Sequence, residues 1–120
     1  MESKRQIQVS KLIQQAVSEV FQMRGSEFYG AAFVTISGVL VTPDLMVAKV
    51  HLSVYNVKEK QEVVDAINKN NAWIRGDVGK KIRNKVRVIP HIEFHLDQSL
   101  EEVYQLENFF EKNKYAGEEE

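Results

Sequence analysis

The spacing of apolar residues predicts a helix near the start of the chain. Within residues 5–23 apolar side chains recur every three or four positions, which places them in one stripe along a helix. The stripe consists of Val9, Leu12, Ile13, Ala16, Val17, Val20 and Phe21. Arg24-Gly25-Ser26 is expected to end the helix, because glycine readily adopts the left-handed conformation of a helix C-terminus.

A hairpin of two strands is predicted next. Residues 31–41 are rich in β-branched side chains, and Gly38 among them indicates a bulge or a close backbone approach. Residues 45–55 alternate, with Met46, Ala48, Val50, Leu52 and Val54 on one side and Lys49, His51, Ser53 and Tyr55 on the other. The turn between them is Thr42-Pro43-Asp44, where proline presets φ and aspartate can bond the backbone ahead of it.

Two consecutive helices follow in the pattern, from about residue 58 to 69 and from residue 72 onward. Their expected core residues are Val63, Val64, Ile67, Trp73, Ile74, Val78 and Ile82. Residues 69–71 fill a core poorly and asparagine is a weak helix former, so we expect a kink there. Asn70 or Asn71 is then the candidate N-cap of the second helix. The alternative is an ordinary kinked helix that binds no ligand.

A third strand and a last helix complete the predicted order. Residues 91–97 alternate, with Ile92, Phe94 and Leu96 inward. Ser99 and Glu102 have the spacing of a capping box, and apolar residues continue to about residue 113. The order α-β-β-α-α-β-α predicts an α+β fold in which helices cover one face of a three-stranded sheet. We expect one domain over residues 1–113 and a disordered acidic tail over 114–120.

Charge is unevenly distributed in a chain whose net charge is only −1. Residues 1–92 hold 14 basic and 8 acidic residues, whereas residues 93–120 hold 2 basic and 9 acidic residues. Such asymmetry is typical of a protein that has a surface for a polyanion and an acidic tail. The alternative is that each patch is simply a solvated face.

The segment NKNNAWIRGDVGKKIRNKVR at 68–87 holds seven basic residues and one acidic residue. A helix that begins at its asparagines would present free N–H groups and the positive end of its dipole, which suits a phosphate. Gly76 and Gly79 lack side chains, so another backbone can approach this helix closely. The segment is therefore the strongest candidate for a binding surface.

Catalytic and metal-binding motifs are absent from the sequence. There is no cysteine, no hydrolase or zinc-protease motif and no phosphate-binding loop. Alternate positions of one predicted strand hold His91, Glu93, His95 and Asp97. Histidines four residues apart on a strand are about 13 Å apart, too far to share a metal. We expect no enzyme activity, metal or cofactor, and the pattern predicts neither a signal peptide nor a membrane span.

Two runs of the sequence carry a recognisable set of short motifs, VTISGVLVTPDLMVAKVHLSVYN at 34–56 and WIRGDVGKKIRNKVRVIPHIEFHLDQSLEE at 73–102. In their order and spacing these motifs resemble those of the ribosome-binding factor A family. The most specific pieces are Ser37-Gly38-Val39, Pro43-Asp44-Leu45, Ala48-Lys49-Val50, Ile74-Arg75, Arg87-Val88-Ile89-Pro90, Phe94 and Asp97-Gln98-Ser99. The match covers the chain from Arg5 to about Leu106.

The resemblance implies a type II KH-like fold with an extra C-terminal helix. In this family a helix kink of Ala-x-Gly type replaces the glycine-rich loop of KH domains, and Asn70-Asn71-Ala72 stands at that position here. The basic residues expected to contact RNA phosphates around it are Arg75, Lys80, Lys81, Arg83, Lys85, Arg87, Lys4, Arg5 and Lys11.

The function that the resemblance implies is a non-enzymatic one in ribosome biogenesis. Such a factor binds the immature small ribosomal subunit and its precursor rRNA, promotes late maturation and 5′-end processing, and serves cold adaptation. A cytoplasmic monomer is expected, with no membrane attachment and with release aided by a small-subunit GTPase. The alternatives from the residues alone are a protein–protein adaptor whose basic helix is merely solvated and, less favoured, a small hydrolase.

Overall fold

The computed structural model of the protein describes residues 2–97. Its elements are helix α1 (Lys4–Tyr29), strands β1 (Phe33–Val41) and β2 (Val47–Tyr55), helices α2 (Lys60–Lys69) and α3 (Asn71–Ile82), and strand β3 (His91–Leu96). This order confirms the predicted succession of elements up to the third strand. The predicted capping box at Ser99 and Glu102, the last helix and the acidic tail lie outside the described residues.

The three strands of residues 2–97 form one sheet in the order β1-β2-β3. Strands β1 and β2 are antiparallel, and their register shifts between Ile36 and Gly38, so the predicted bulge is confirmed. Strand β3 runs parallel to β2 and pairs Ile92 with Ala48. The third strand therefore lies beside the hairpin, as predicted, and α2 and α3 form the crossover to it.

The turn between β1 and β2 depends on Thr42 and Asp44. Thr42 Oγ1 donates to Asp44 Oδ1 at 2.6 Å, and the same carboxylate oxygen accepts from the Met46 N–H at 3.0 Å. Leu45 has a positive φ of 63°. The predicted turn is confirmed, but β2 begins only at Val47, so Met46 is exposed and not part of the core.

The hydrophobic core lies between the helices and one face of the sheet. The sheet contributes Ala48, Val50, Leu52, Val54, Ile92 and Phe94, in the predicted alternation. The helices contribute Val9, Ile13, Ala16, Val17, Val20, Val64, Ile67, Ile74, Val78 and Ile82 among others. Ser53, expected on the wetter face, is also buried, because its short side chain lies on the central strand between two neighbours.

Helix α1 is longer than predicted, because Gly25 lies inside it and not at its end. The helix begins with a capping box between Ser3 and Gln6 and ends at Gly30, whose φ is 64°. A methyl group on Gly25 would overlap the Tyr29 hydroxyl. Gly25 therefore makes room for the Tyr29 ring, which packs edge-on against Phe21 at 5.5 Å between centroids.

Helix α3 buries one apolar stripe and leaves Trp73 outside it. Ile74, Val78 and Ile82 are buried at four-residue spacing, whereas Trp73 is 67% exposed. The expectation that Trp73 packs inward was wrong, because Trp73 is turned about 100° around the helix from Ile74. The helix also ends at Ile82, so the basic residues from Arg83 onward lie in a turn and a loop.

Candidate nucleic-acid interface

The break between α2 and α3 is attached to the edge of β3 by asparagine side chains. Asn68 Nδ2 donates to the Phe94 carbonyl at 3.0 Å, and the Phe94 N–H donates to Asn68 Oδ1 at 3.2 Å. Asn71 Nδ2 donates to the Ile92 carbonyl at 2.5 Å. Because β3 is the last strand on this side of the described sheet, these amides replace the ladder bonds of a further strand.

The break itself falls at Asn70, within the segment where the sequence predicts a kink. Asn70 occupies the N-cap position of α3, but its side chain makes no capping bond and donates to the Ala66 carbonyl at 2.9 Å. The expectation that Asn70 or Asn71 caps α3 through its side chain was therefore wrong. These two side-chain amides donate to carbonyls of α2 and β3, and neither accepts from the free N–H groups at the start of α3.

Arg75 and Gly79 lie on the face of α3 that packs against the segment before β3. Arg75 Nε donates to the Pro90 carbonyl at 3.0 Å, and Arg75 Nη2 donates to the Ile89 carbonyl at 2.6 Å. A methyl group on Gly79 would meet the Ile89 side chain at 3.5 Å. The Arg75 guanidinium, predicted to contact phosphate, thus bonds the protein's own backbone, and the close approach at Gly79 is made by the same chain.

Helix α3 and the turn after it run antiparallel along α1. Three polar contacts mark this arrangement: Arg24 Nη1 to Asp77 Oδ2 at 2.6 Å, Lys81 Nζ to Glu19 Oε2 at 3.1 Å, and Arg5 Nη2 to the Lys85 carbonyl at 3.1 Å. The hydrogen bond to Glu27 raises the pKa of Arg24, and the charge of Asp77 adds to this effect. Arg24 is therefore a fixed cation between the two helices.

Exposed cations lie along this pair of helices and the turn that follows. We call them the basic surface, which comprises Lys4, Arg5, Lys11, Lys80, Lys81, Arg83, Lys85 and Arg87. Lys4 and Lys11 are seven residues apart and so share the outer face of α1. Arg5 and Arg87 line one cleft of about 310 Å³. Among the predicted phosphate contacts Arg75 is half-buried and the others are exposed, while Arg5 and Lys81 also hold contacts within the protein.

An exposed tryptophan beside the basic surface was not expected from the sequence. Trp73 and Met23 are 67% and 77% exposed. Trp73 borders a cleft of about 360 Å³ between α1 and α3, which we call the Trp73 cleft; its lining residues are Arg24, Ala72, Trp73, Gly76, Asp77 and Lys80. The four-residue spacing of Ile74, Val78 and Ile82, which excludes Trp73, is the signal that could have revealed its position.

Residues 2–97 contain neither a cluster of metal-binding side chains nor a helix suited to cross a membrane. No three His, Asp or Glu side chains in this range are grouped as a metal site requires. The His51 and His95 rings are 5.7 Å apart on neighbouring strands, and His95 Nε2 lies 3.0 Å from Glu93 Oε1. None of the helices in this range combines the length and apolarity that crossing a bilayer needs.

The family model, a curated relative and a solved structure that match this chain all belong to the same family. The family model described as ribosome-binding factor A matches residues 5–110. A ribosome-binding factor A from Cytophaga hutchinsonii is 32% identical over 112 residues, which are 93% of this chain and 84% of the relative. The crystal structure of ribosome-binding factor A from Thermus thermophilus is similar with a TM-score of 0.62 at 15% identity, over 76% of this chain and 94% of that one.

A second Thermus thermophilus structure is a ribosome-binding factor A homology model fitted into a cryo-electron microscopy map of a complex with the 30S subunit. It has a TM-score of 0.59 at 17% identity, over 74% of this chain and 91% of that one. These likenesses confirm the KH-like α+β fold that the motifs implied. Since the family model spans most of the sequence and the curated relative matches at 32% identity, the chain belongs to the ribosome-binding factor A family.

Proposed function

We propose that this protein is a ribosome-assembly factor that binds the immature small ribosomal subunit and its precursor rRNA through the basic surface. Membership of the ribosome-binding factor A family supports the proposal, as does the 30S complex described for a relative. The observation that carries it is the alignment of exposed cations from α1, α3 and the following turn along one pair of antiparallel helices.

Phosphate binding by this surface rests on the cations that are exposed and not engaged by a partner side chain in the described residues. Lys80, Arg83, Lys85 and Arg87 follow one another along the chain, so an RNA backbone can run beside α3 and its turn. Lys4 and Lys11 extend the positive charge over α1. Such contacts position RNA and supply affinity, while unpaired bases and RNA shape supply specificity.

The proposed mechanism is one of binding and not of catalysis. Folded rRNA has alternative forms of similar free energy, and a protein that binds one of them more tightly shifts the population toward it by that difference. The kink at Asn70, Asn71 and Ala72 directs the N-terminus of α3, whose first turn holds no acidic residue, toward the RNA backbone.

The finer role follows from the family resemblance and is part of the same proposal. The factor acts in the cytoplasm as a monomer, late in small-subunit maturation, and promotes processing of the 5′ end of the precursor rRNA. It matters most in the cold, when misfolded RNA rearranges slowly, and it leaves with the help of a small-subunit GTPase. The acidic C-terminal residues discourage promiscuous RNA binding.

Charge reversal tests the proposed surface. Replacing Lys80 and Arg83 with glutamate is expected to abolish co-sedimentation with isolated small subunits at physiological salt, while the urea midpoint stays that of the wild type. The matched control is Lys49→Glu with Lys58→Glu, which makes the same change in net charge at exposed sites on β2 and in the loop after it. Equal binding by both double variants would reject the proposed surface.

A further inference from the structure

Trp73 is the one tryptophan of the sequence, and it is exposed beside the helix break. Its neighbours Ile74 and Val78 are fully buried, so the core of residues 2–97 is complete without the indole. An exposed aromatic ring does not contribute the favourable free energy that its burial in the core would give. Such rings are enriched where proteins bind partners. Trp73 therefore has a position suited to contact with a partner.

The Trp73 cleft combines an exposed aromatic ring, open space and a nearby cation. Its floor is open at Gly76, where a methyl group would have no contact within 4 Å in the described part of the chain. Its rim carries Lys80 and Arg24. Arg24 is shared between Asp77 at 2.6 Å and Glu27 at 2.9 Å, so Lys80 is the cation of this cleft that is left to attract a phosphate. A flat ring next to a cation suits a base joined to a phosphate, because the ring stacks on the base while the cation attracts the phosphate.

The charge around the cleft favours RNA over a protein segment as the occupant. Lys80 belongs to both the cleft and the basic surface, so a strand that crosses Lys80, Lys81 and Arg83 continues directly to Trp73. The exposed Met23 borders the adjoining cleft of about 220 Å³, which also contains Lys80 and Arg24. The apolar groups thus interrupt a cationic path, as on single-strand-binding surfaces.

We propose that Trp73 stacks on an unpaired base of the RNA held by the basic surface. The inference rests on the proposed function and adds to it the class of RNA element, which is a single-stranded nucleotide next to the α2–α3 break. A duplex keeps its bases stacked internally and offers Trp73 no free base face. The lone tryptophan also makes the contact directly measurable, because its fluorescence reports on this one position.

The first test follows Trp73 fluorescence while the full-length protein is titrated with a twelve-nucleotide oligoadenylate. We expect quenching and protection from acrylamide with this single strand, and much smaller changes with the same oligomer paired to oligouridylate. Isolated small subunits should produce the same quenching. A fluorescence change with whole subunits, but none with oligoadenylate or with protein-free rRNA, would overturn the proposal in favour of contact with a ribosomal protein.

The second test compares variants in binding to small subunits. Trp73→Ala is expected to weaken binding about 5- to 150-fold without changing the salt dependence, whereas Trp73→Phe retains most of the affinity. Leu40→Ala removes another exposed apolar side chain, outside the cleft, and should bind as the wild type does. Circular dichroism in urea checks that each variant is folded.

The two proposals fail in distinguishable ways. Suppose that Trp73→Ala binds as the wild type does while the Lys80→Glu, Arg83→Glu double variant does not bind. The proposal that Trp73 stacks on a base is then wrong, and the proposal that the basic surface binds RNA is retained. If both bind as the wild type does, the basic surface is wrong as well, and the stacking proposal falls with it.

Discussion

Asn68 and Phe94 are joined by two hydrogen bonds, in which one side-chain amide takes the place of a neighbouring strand. The amide donates to the Phe94 carbonyl at 3.0 Å and accepts from the Phe94 N–H at 3.2 Å. Asn71 and Arg75 also bond backbone carbonyls. The three side chains, at positions 68, 71 and 75, lie in a row on one face of the α2–α3 segment. The polar residues at the start of the basic segment thus hold the helices to the sheet.

Asn68→Ala should destabilise the protein by about 2 kcal/mol, because it removes two hydrogen bonds and leaves the Phe94 backbone groups unpaired. Urea unfolding monitored by circular dichroism measures the loss. Asn84→Ala, in the exposed turn after α3, is the matched control and should change stability by less than about 0.5 kcal/mol. Equal stability of the two variants would show that the Asn68 bonds contribute nothing.

Asn71→Leu tests the anchoring of the break itself. Leucine cannot donate to the Ile92 carbonyl, so we expect a loss of about 1–2 kcal/mol in stability and weaker binding to small subunits as the break loses its angle. Sedimentation with small subunits at a protein concentration near the wild-type Kd measures the second effect. Wild-type affinity in this variant would remove any role for Asn71 in RNA binding.

Gly25 and Tyr29 should be energetically coupled. Gly25→Ala normally favours a helix by about 1 kcal/mol, but here the added methyl would overlap the Tyr29 hydroxyl and displace a ring that packs on Phe21. We therefore expect Gly25→Ala to destabilise the wild type and to stabilise the Tyr29→Ala variant. A double-mutant cycle by urea unfolding measures the coupling, and additive effects would contradict the packing described for this pair.

Binding to small subunits should depend steeply on salt. If five to seven phosphates are neutralised, the slope of log affinity against log salt is roughly −3.5 to −5 for single-stranded RNA. Replacing Lys80 and Arg83 with alanine should reduce its magnitude by about 1.4, as two phosphate contacts are lost. A slope near zero would instead favour a protein–protein adaptor whose basic surface is only solvated.

The Thr42–Asp44 turn should respond to acid. The hydrogen bond from Thr42, together with that from the Met46 N–H, lowers the pKa of Asp44 in the folded protein. Ionised Asp44 therefore contributes stability above its unfolded pKa of about 4, and this contribution is lost as pH falls through the lower folded value. Thr42→Val should raise the pKa of Asp44, as measured by NMR titration of the carboxyl carbon.

The control for this titration is Thr35→Val, which alters an exposed threonine of β1 away from the turn. It should leave the Asp44 titration unchanged. An unchanged Asp44 pKa in Thr42→Val would mean that the Met46 N–H alone holds the carboxylate in its ionised form.

Much of the fold could be predicted from the local pattern. The alternation along β2 and β3, the bulge before Gly38 and the turn at Thr42 and Asp44 depend on neighbouring residues. They are found in the structure, except that Met46 lies before β2 and is exposed and that Ser53 is buried. The end of α1 could not be predicted, because the role of Gly25 depends on the side chain of Tyr29 one turn later. Glycine in a sequence indicates conformational freedom but does not reveal a packing requirement.

By itself the sequence determined the order of the elements through β3, most of their buried faces, the concentration of positive charge in residues 68–87 and the motifs of the ribosome-binding factor A family. Tertiary structure decided which polar and aromatic residues of that segment face the protein and which face outward. Asn68, Asn71 and Arg75 bond backbone carbonyls of residues 89–94, whereas Trp73 and Lys80 lie at an open cleft. The reason is physical. Every backbone carbonyl accepts hydrogen bonds in the same way, whatever the side chain of its residue, so residue type does not show which polar side chain will bond it. Only the positions of the two groups in the folded protein decide this.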